Sequence, residues 1–291
     1  MKLEPDTFPH SPLLAFDTLW LQVAGTLCNL KCTHCFISCS PTNHAHEMMS
    51  LGEVTSILRE AEALGVKEYY VTGGEPFLNR EILAILDATL QQGPATVLTN
   101  GVLIHREMAA ALKRLSERSS YSLDVRVSLE GWDAATNDRV RGEGTFARIV
   151  DGIHNLNSEG LNPVVTVSEA CDGAGSSAAR RALLSFLRSL GLPKPRLKVM
   201  PLLRIGAEAD RSRSYGRGES LAGLTLATRD IERLQCSSCR AATARGVYVC
   251  PILLDYEEAR MSPSLAGSLR PFELRYAACH TCHFEGLTCR T

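Results

Sequence analysis

Short apolar runs alternate with amphipathic stretches along the first two thirds of the chain. Leu19 to Val23 reads as a first strand. Ser50 opens a helix, and Glu53 three positions on completes a capping-box signature. Val54, Ile57, Leu58, Ala61 and Leu64 recur there at helical spacing, and Gly65 is a plausible stop. Tyr69 to Thr72 is a second strand running into Gly73-Gly74-Glu75-Pro76. The same pattern predicts helix 79–91, strand 95–99, helix 105–117, strand 123–129, helix 145–158, strand 162–167, helix 177–190 and strand 196–202.

Strands that alternate with helices predict an α/β fold with a parallel sheet and right-handed crossovers. Strand 123–129 adds detail. Val125, Val127 and Leu129 point one way, while Asp124, Arg126, Ser128 and Glu130 point the other. A flat doubly wound sheet buries both faces in apolar contacts. A polar inner face suits a partial (β/α)6 TIM-like barrel that holds a ligand inside, its site built at the carboxyl ends of the strands. Those ends are polar or glycine-rich: Gly73-Gly74-Glu75, Asn100-Gly101, Ser128 to Glu130, Glu169-Ala170-Cys171. From Gly206 to Gly223 the composition turns to Arg, Ser and Gly, which reads as a linker or lid. The expected division is an extension over 1–17, the barrel over 18–205, the linker over 206–223 and a small cysteine-rich unit over 224–291.

Charge and composition narrow the partners. Lys plus Arg number 31 against 32 Asp plus Glu, a net charge of −1, so no broad basic field serves nucleic acid or acidic membranes. No run of apolar residues is long enough to span a bilayer. The start lacks the charged-then-apolar layout of a signal peptide, so a cytoplasmic location is expected. There, metal or redox chemistry is commoner for cysteine than structural disulfides.

Eleven cysteines fall into two groups. Cys28, Cys32, Cys35 and Cys39 lie together, as do Cys236, Cys239, Cys250, Cys279, Cys282 and Cys289. Only Cys171 lies between them. Cys28-x3-Cys32-x2-Cys35 follows the first strand. Three thiolates on one loop can hold three irons of a cubane cluster and leave the fourth iron open. A structural zinc site wants four protein ligands, which Cys39 or His34 would have to complete.

Together with Gly73-Gly74-Glu75-Pro76, Thr99-Asn100-Gly101, Ser128-Leu129-Glu130-Gly131 and Arg141, this loop resembles the radical S-adenosylmethionine (SAM) enzymes over roughly residues 18–205. The resemblance implies that Cys28, Cys32 and Cys35 ligate a [4Fe–4S] cluster whose open iron chelates SAM. It implies further that His34, Gly73, Gly74, Glu75, Asn100, Ser128, Glu130 and Arg141 surround the cofactor. Glu75 would meet the SAM amino group, small residues beside it allowing close backbone approach. Arg141 would help hold the carboxylate. The implied chemistry is reductive cleavage of SAM to a 5′-deoxyadenosyl radical that abstracts a hydrogen atom.

Cys236-x2-Cys239 and Cys279-x2-Cys282 admit a zinc ribbon. A c-type haem site at Cys279 to His283 is a remote alternative. The hairpin Gly246-Val-Tyr-Val-Cys250 looks like the SPASM and Twitch extensions of the same family. It implies at least one auxiliary [4Fe–4S] cluster, its ligands drawn from Cys236, Cys239, Cys279, Cys282 and Cys289. The simplest closure uses both C-x2-C pairs and frees Cys250 and Cys289; the S–H bond of Cys250 is weak enough to return a hydrogen atom to a carbon radical. The alternative makes Cys250 a cluster ligand. Cys171 is a second candidate donor, and Cys39 reads as an idle loop thiol. The short chain is similar to family members that act on antibiotic sugars. The expected reaction is therefore inversion of an aminoglycoside stereocentre, of the neomycin C to neomycin B type. A dehydrogenase or dehydratase of an aminoglycoside or peptide residue is the main alternative, and a non-catalytic Fe–S or zinc protein the other. Partners would be a cationic sugar and a one-electron reductant of the flavodoxin or ferredoxin type. Glu169, Asp172, Asp210, Asp255, Glu257 and Glu258 are the carboxylates that could reach the barrel mouth.

Overall fold

The computed structural model describes residues 7–170, 173 and 175–287. Their elements run β1 (His10–Ser11), β2 (Thr18–Gln22), α1 (Leu51–Ala63), β3 (Glu68–Thr72), α2 (Ile82–Leu90), β4 (Ala95–Thr99), α3 (Arg106–Arg118), β5 (Leu123–Ser128), α4 (Ala134–Arg141), α5 (Thr145–Ser158), β6 (Val164–Ser168), α6 (Ser177–Ser189) and β7 (Arg196–Met200). The carboxyl-terminal part adds α7 (Ala207–Arg211), α8 (Thr228–Glu232), β8 (Cys239–Thr243), β9 (Gly246–Tyr248), β10 (Arg260–Ser262), β11 (Phe272–Glu273) and α9 (Ala278–Thr281).

The strand order is β10-β9-β8-β2-β3-β4-β5-β6-β7. From β8 to β7 every pairing is parallel, while β9 and β10 add an antiparallel edge. Among the described residues β7 and β10 do not pair, so the barrel stays open, as expected for a partial TIM-like architecture. The six predicted strands all form. The seventh parallel strand, β8, comes from the cysteine-rich tail: Thr18 pairs with Cys239 and Trp20 with Ala241. The tail thus continues the barrel sheet through β2.

Helix positions follow local chemistry. Ser50 accepts from the Glu53 amide, and the Glu53 carboxylate accepts from the Ser50 amide, the reciprocal cap that the spacing predicted. Helix α4 carries little apolar periodicity and escaped the sequence pattern. Asp133 caps it by accepting from the Thr136 amide. Val54, Leu58 and Ala61 from α1 and Ile85 and Leu86 from α2 pack against Leu19, Leu21, Val71 and Val97 on the outer face of the sheet. The opposite side chains of the same strands, including Gln22, Thr72, Arg126, Ser128, Thr166 and Ser168, line the lumen.

Candidate active site

A cavity of ≈ 280 Å³ opens at the carboxyl ends of the strands. Cys28, Cys32, Cys35 and Cys39 lie in its wall, as do His34, Gly73, Gly74, Asn100, Ser128, Glu130 and Arg141. Of the residues expected around SAM, only Glu75 stands outside it.

The difference at Glu75 has a clear cause. Its carboxylate is fully buried and already accepts from Thr99 Oγ1 at 2.7 Å, the Asn100 amide at 2.8 Å and the Phe77 amide at 3.2 Å. It ties the β3 loop to the β4 loop and so holds Asn100 in place, with Oε1 accepting twice and Oε2 once. Burial raises its pKa to about 7, against the opposing pull of these hydrogen bonds. The neighbouring glycines also serve the chain itself. A Cβ on Gly74 would stand 2.1 Å from the Leu27 carbonyl, and one on Gly73 2.5 Å from Ala24 Cβ. Their smallness lets the β3 loop press against the start of the cysteine loop.

Three thiols cluster on that loop. Cys28 accepts from the Leu30 amide at 3.4 Å and from Asn100 Nδ2 at 3.7 Å. Cys35 accepts from the Cys39 amide at 3.3 Å, and Arg141 Nη1 lies 3.9 Å from Cys32 Sγ. Burial pushes the Cys28 thiol up to about 12, with Glu75 and the other two cysteines adding to it. These donors and this mutual repulsion suit a metal-bound thiolate group better than three idle thiols. Cys39 is buried beside Cys35 in the same wall.

Beside the cysteine loop lies a buried ion pair. Arg141 Nη2 donates to Glu130 Oε1 at 2.8 Å, and His34 Nε2 lies 3.2 Å from the same oxygen. The Ser168 amide and hydroxyl both donate to Glu130 Oε2 at 2.9 Å. Burial works against the Glu130 anion, but Arg141 and the His34 contact outweigh it and hold its pKa below the usual carboxylate range. Arg141 Nε and His34 Nδ1 are buried at the cavity wall with no protein partner. Unsatisfied buried donors of this kind ask for a polar ligand. An amino-acid-bearing cofactor held by the cysteine loop fits that demand.

The second cysteine group encloses a separate small cavity of ≈ 20 Å³. Cys236, Cys250, Cys279 and Cys282 line it, and apart from Gln235 the rest of its wall is apolar. Cys239 is elsewhere. It begins β8 and faces a crevice lined by Thr18, Trp20, Glu68 and Tyr70. Cys250 thus lines the same cavity as Cys236 and both cysteines of the second C-x2-C pair, whereas Cys239 lines the crevice beside β2 and β3. Cys171 and Cys289 lie outside the described residues.

Each thiol of this group has its pKa raised where a shift is resolved, burial being the largest cause. Beside them sits Arg240, with no exposed surface. Its donors reach the carbonyls of Cys236, Cys239, Ser268 and Arg270. A buried guanidinium next to cysteines, bonded only to neutral carbonyls, suits a group that carries negative charge when loaded. Among the described residues no three His, Cys, Asp or Glu side chains are placed to share one metal ion; a polynuclear cluster spreads its cysteines more widely. Of the acidic residues expected at the mouth, Asp172 lies outside the described residues and none of the others lines the main cavity. Glu257 is paired with Arg245 and Arg260 instead.

The radical SAM superfamily model matches residues 23–170, half of the sequence. The chain belongs to the radical SAM superfamily. It is 35% identical to the mycofactocin maturase MftC of Mycobacterium ulcerans over 135 residues, 46% of this chain and 35% of that protein. Over 136 residues it is 35% identical to the Fe-coproporphyrin III synthase of Methanosarcina barkeri, covering 46% and 32%. With the GTP 3′,8-cyclase of Pectobacterium atrosepticum it shares 30% over 133 residues, 44% and 38%. The matched segment thus spans about a third of each of these relatives. SuiB of Streptococcus suis, solved with S-adenosylmethionine, aligns over 85% of this radical SAM chain and 62% of its own, with TM-score 0.62 and 18% identity. The native anSMEcpe structure with AdoMet aligns over 86% and 79%, with TM-score 0.63 and 15% identity. These two share the fold. A SAM-binding [4Fe–4S] cluster is the superfamily's cofactor, and Cys28, Cys32 and Cys35 are the residues here that fit it. No described helix is long and apolar enough to cross a membrane.

Proposed function

We propose that this protein oxidises a small organic substrate by hydrogen-atom abstraction inside the barrel and passes the second electron to an auxiliary cluster held by Cys236, Cys250, Cys279 and Cys282. When bound at Cys28, Cys32 and Cys35, the cluster and SAM supply the 5′-deoxyadenosyl radical that removes the hydrogen atom. The auxiliary cluster supplies a one-electron acceptor. Loss of a proton and that electron then leaves a product oxidised by two electrons, while an external one-electron reductant resets SAM cleavage.

The observation that carries this reading is a shared wall. Gln235 and Ile252 line both the main cavity and the cysteine cavity, so an oxidisable substrate would rest one layer of side chains from the acceptor. Around the cofactor, Arg141 would be held by Glu130, its buried Nε left without a protein partner. Asn100 is positioned by Glu75, and the apolar Leu98, Met200 and Leu203 help exclude water from the lumen. The test is anaerobic reconstitution with iron and sulfide, then SAM and dithionite. Formation of 5′-deoxyadenosine and methionine supports the reading. Its absence from protein carrying both clusters sinks it.

A second reading keeps the expectation of an aminoglycoside epimerase. One observation favours it: Cys250 is followed directly by Pro251 and Ile252, which line the main cavity, so its thiol stands near the substrate space. Incubation with neomycin C in deuterated water decides between the two. An inverted product with one carbon-bound deuterium supports the thiol donor, and an oxidised product or none supports the dehydrogenase.

A further inference from the structure

The Arg-, Ser- and Gly-rich segment that follows β7 reaches both cysteine groups. At its start Leu203 and Ile205 are buried in the same apolar core as Cys39 of the first group and Cys279 of the second. Gly206 comes next, with φ +56°. Its backbone lies so close to the cysteine loop that a Cβ would stand 2.5 Å from the Phe36 carbonyl oxygen and 2.8 Å from that of Cys35. A left-handed turn at this distance needs glycine. The following amide, of Ala207 in α7, donates to the Cys35 carbonyl at 3.0 Å.

The far part of the segment is tied to α9. Tyr215 Oη and Thr281 Oγ1 share a hydrogen bond at 2.7 Å, and Thr281 is buried between Cys279 and Cys282. Further contacts close the segment on itself. The Arg204 guanidinium lies over the Tyr215 ring, 4.5 Å from its centre, and the Arg204 amide donates to Tyr215 Oη at 3.4 Å. Glu219 accepts from Arg204 and, at 2.6 Å, from Arg213. A segment anchored at two points and cross-linked between them opens less readily than a loop held only at its ends.

We propose that residues 204–215 form a strap that fixes the Cys35 backbone relative to α9, with Gly206 and Tyr215 as its positioning residues. The strap thereby sets the placement of the SAM-linked cluster against the auxiliary one when both are bound. For the presence of that second cluster this rests on the reading given above; the backbone link stands without it.

Hydrogen exchange of anaerobically reconstituted protein tests the strap at both ends, with α1 as the internal reference. Tyr215→Phe removes the hydroxyl and keeps the ring beneath Arg204. Loss of one buried hydrogen bond should speed exchange about tenfold at the far end, at the Ala207 and Ser38 amides that share the Cys35 carbonyl. Coupling between two ends is reciprocal, so Gly206→Ala should speed exchange at the Cys279 and His280 amides of α9. Should Gly206→Ala fail to hold iron, Thr281→Val takes its place, with faster exchange expected at Ala207. A change confined to the mutated end, as a merely local structural role would give, overturns the proposal. In protein carrying both clusters, Tyr215→Phe should also alter the spin–spin interaction between them in electron paramagnetic resonance while iron content stays unchanged; an unaltered interaction overturns the positioning of the clusters. Wild-type protein that holds only one cluster overturns the reading above and the cluster placement with it, and the exchange result still decides the backbone link.

Discussion

The two cysteine groups of this protein solve different problems with the same side chain. The amino-terminal group sits in the polar, hydrogen-bonding wall of the larger cavity: backbone amides, Asn100 and Arg141 point at its sulfurs. The carboxyl-terminal group, apart from Cys239, lines a small, nearly all apolar cavity with one buried arginine for company. A cluster that must bind a ligand and exchange electrons with a partner needs an open face and polar neighbours. One that only receives electrons works in a dry pocket. The contrast supports the division of roles proposed above, which the cysteine count alone leaves open.

The sharpest way to break the comparison is to remove one side of it. Cys32→Ala should abolish 5′-deoxyadenosine formation while about half of the iron remains, held by the other group; loss of all iron would show that the two groups are not independent. Next in size is Arg141→Gln. It leaves Glu130 buried without its cation, which should cost about 3–5 kcal/mol of stability in urea unfolding of the apoprotein. SAM binding should weaken as well; unchanged unfolding would mean that His34 and Ser168 suffice.

A smaller effect is expected at Arg240. Removing a positive charge beside the second group disfavours its more reduced, more negative state. Arg240→Gln should therefore make the auxiliary potential more negative and leave the SAM-linked cluster unmoved. A shift in both, or in neither, would dissolve the contrast.

The smallest concerns Glu75. Burial raises its folded pKa to about 7, above the ordinary carboxylate value of 4.5, so the folded state holds the proton more tightly than the unfolded chain. Stability from this group is greatest at low pH and declines as pH rises from about 4.5 through about 7. Glu75→Gln should flatten that decline between pH 5 and pH 8 in apoprotein unfolding, and an unchanged slope would contradict the burial argument.

Much of the barrel was legible because its signals are local. The Ser50–Glu53 cap, the apolar spacing of α1 and the strict alternation of strand 123–129 each act within a few residues. The alternation even placed Arg126, Ser128 and Glu130 on the ligand side, where the cavity has them. What escaped depends on contacts distant in sequence. Glu75 looks like a ligand contact in its motif; only the approach of Thr99 and Asn100 shows that its carboxylate also ties two loops together. Spacing favours Cys239, a member of a C-x2-C pair, over the solitary Cys250; only the fold puts Cys250 in the cysteine cavity and Cys239, on β8 beside β2, in the neighbouring crevice. Arg240 carried no signal, since its partners are backbone carbonyls supplied by folding.

The exchange of Cys239 for Cys250 is therefore the point on which the assignment of the second site rests. Iron content and Mössbauer spectra of reconstituted Cys239→Ala and Cys250→Ala, measured side by side, test it most directly. The account predicts that Cys239→Ala keeps both clusters and that Cys250→Ala loses the auxiliary one while still cleaving SAM. Retention of both clusters by Cys250→Ala, or loss of one by Cys239→Ala, would contradict it.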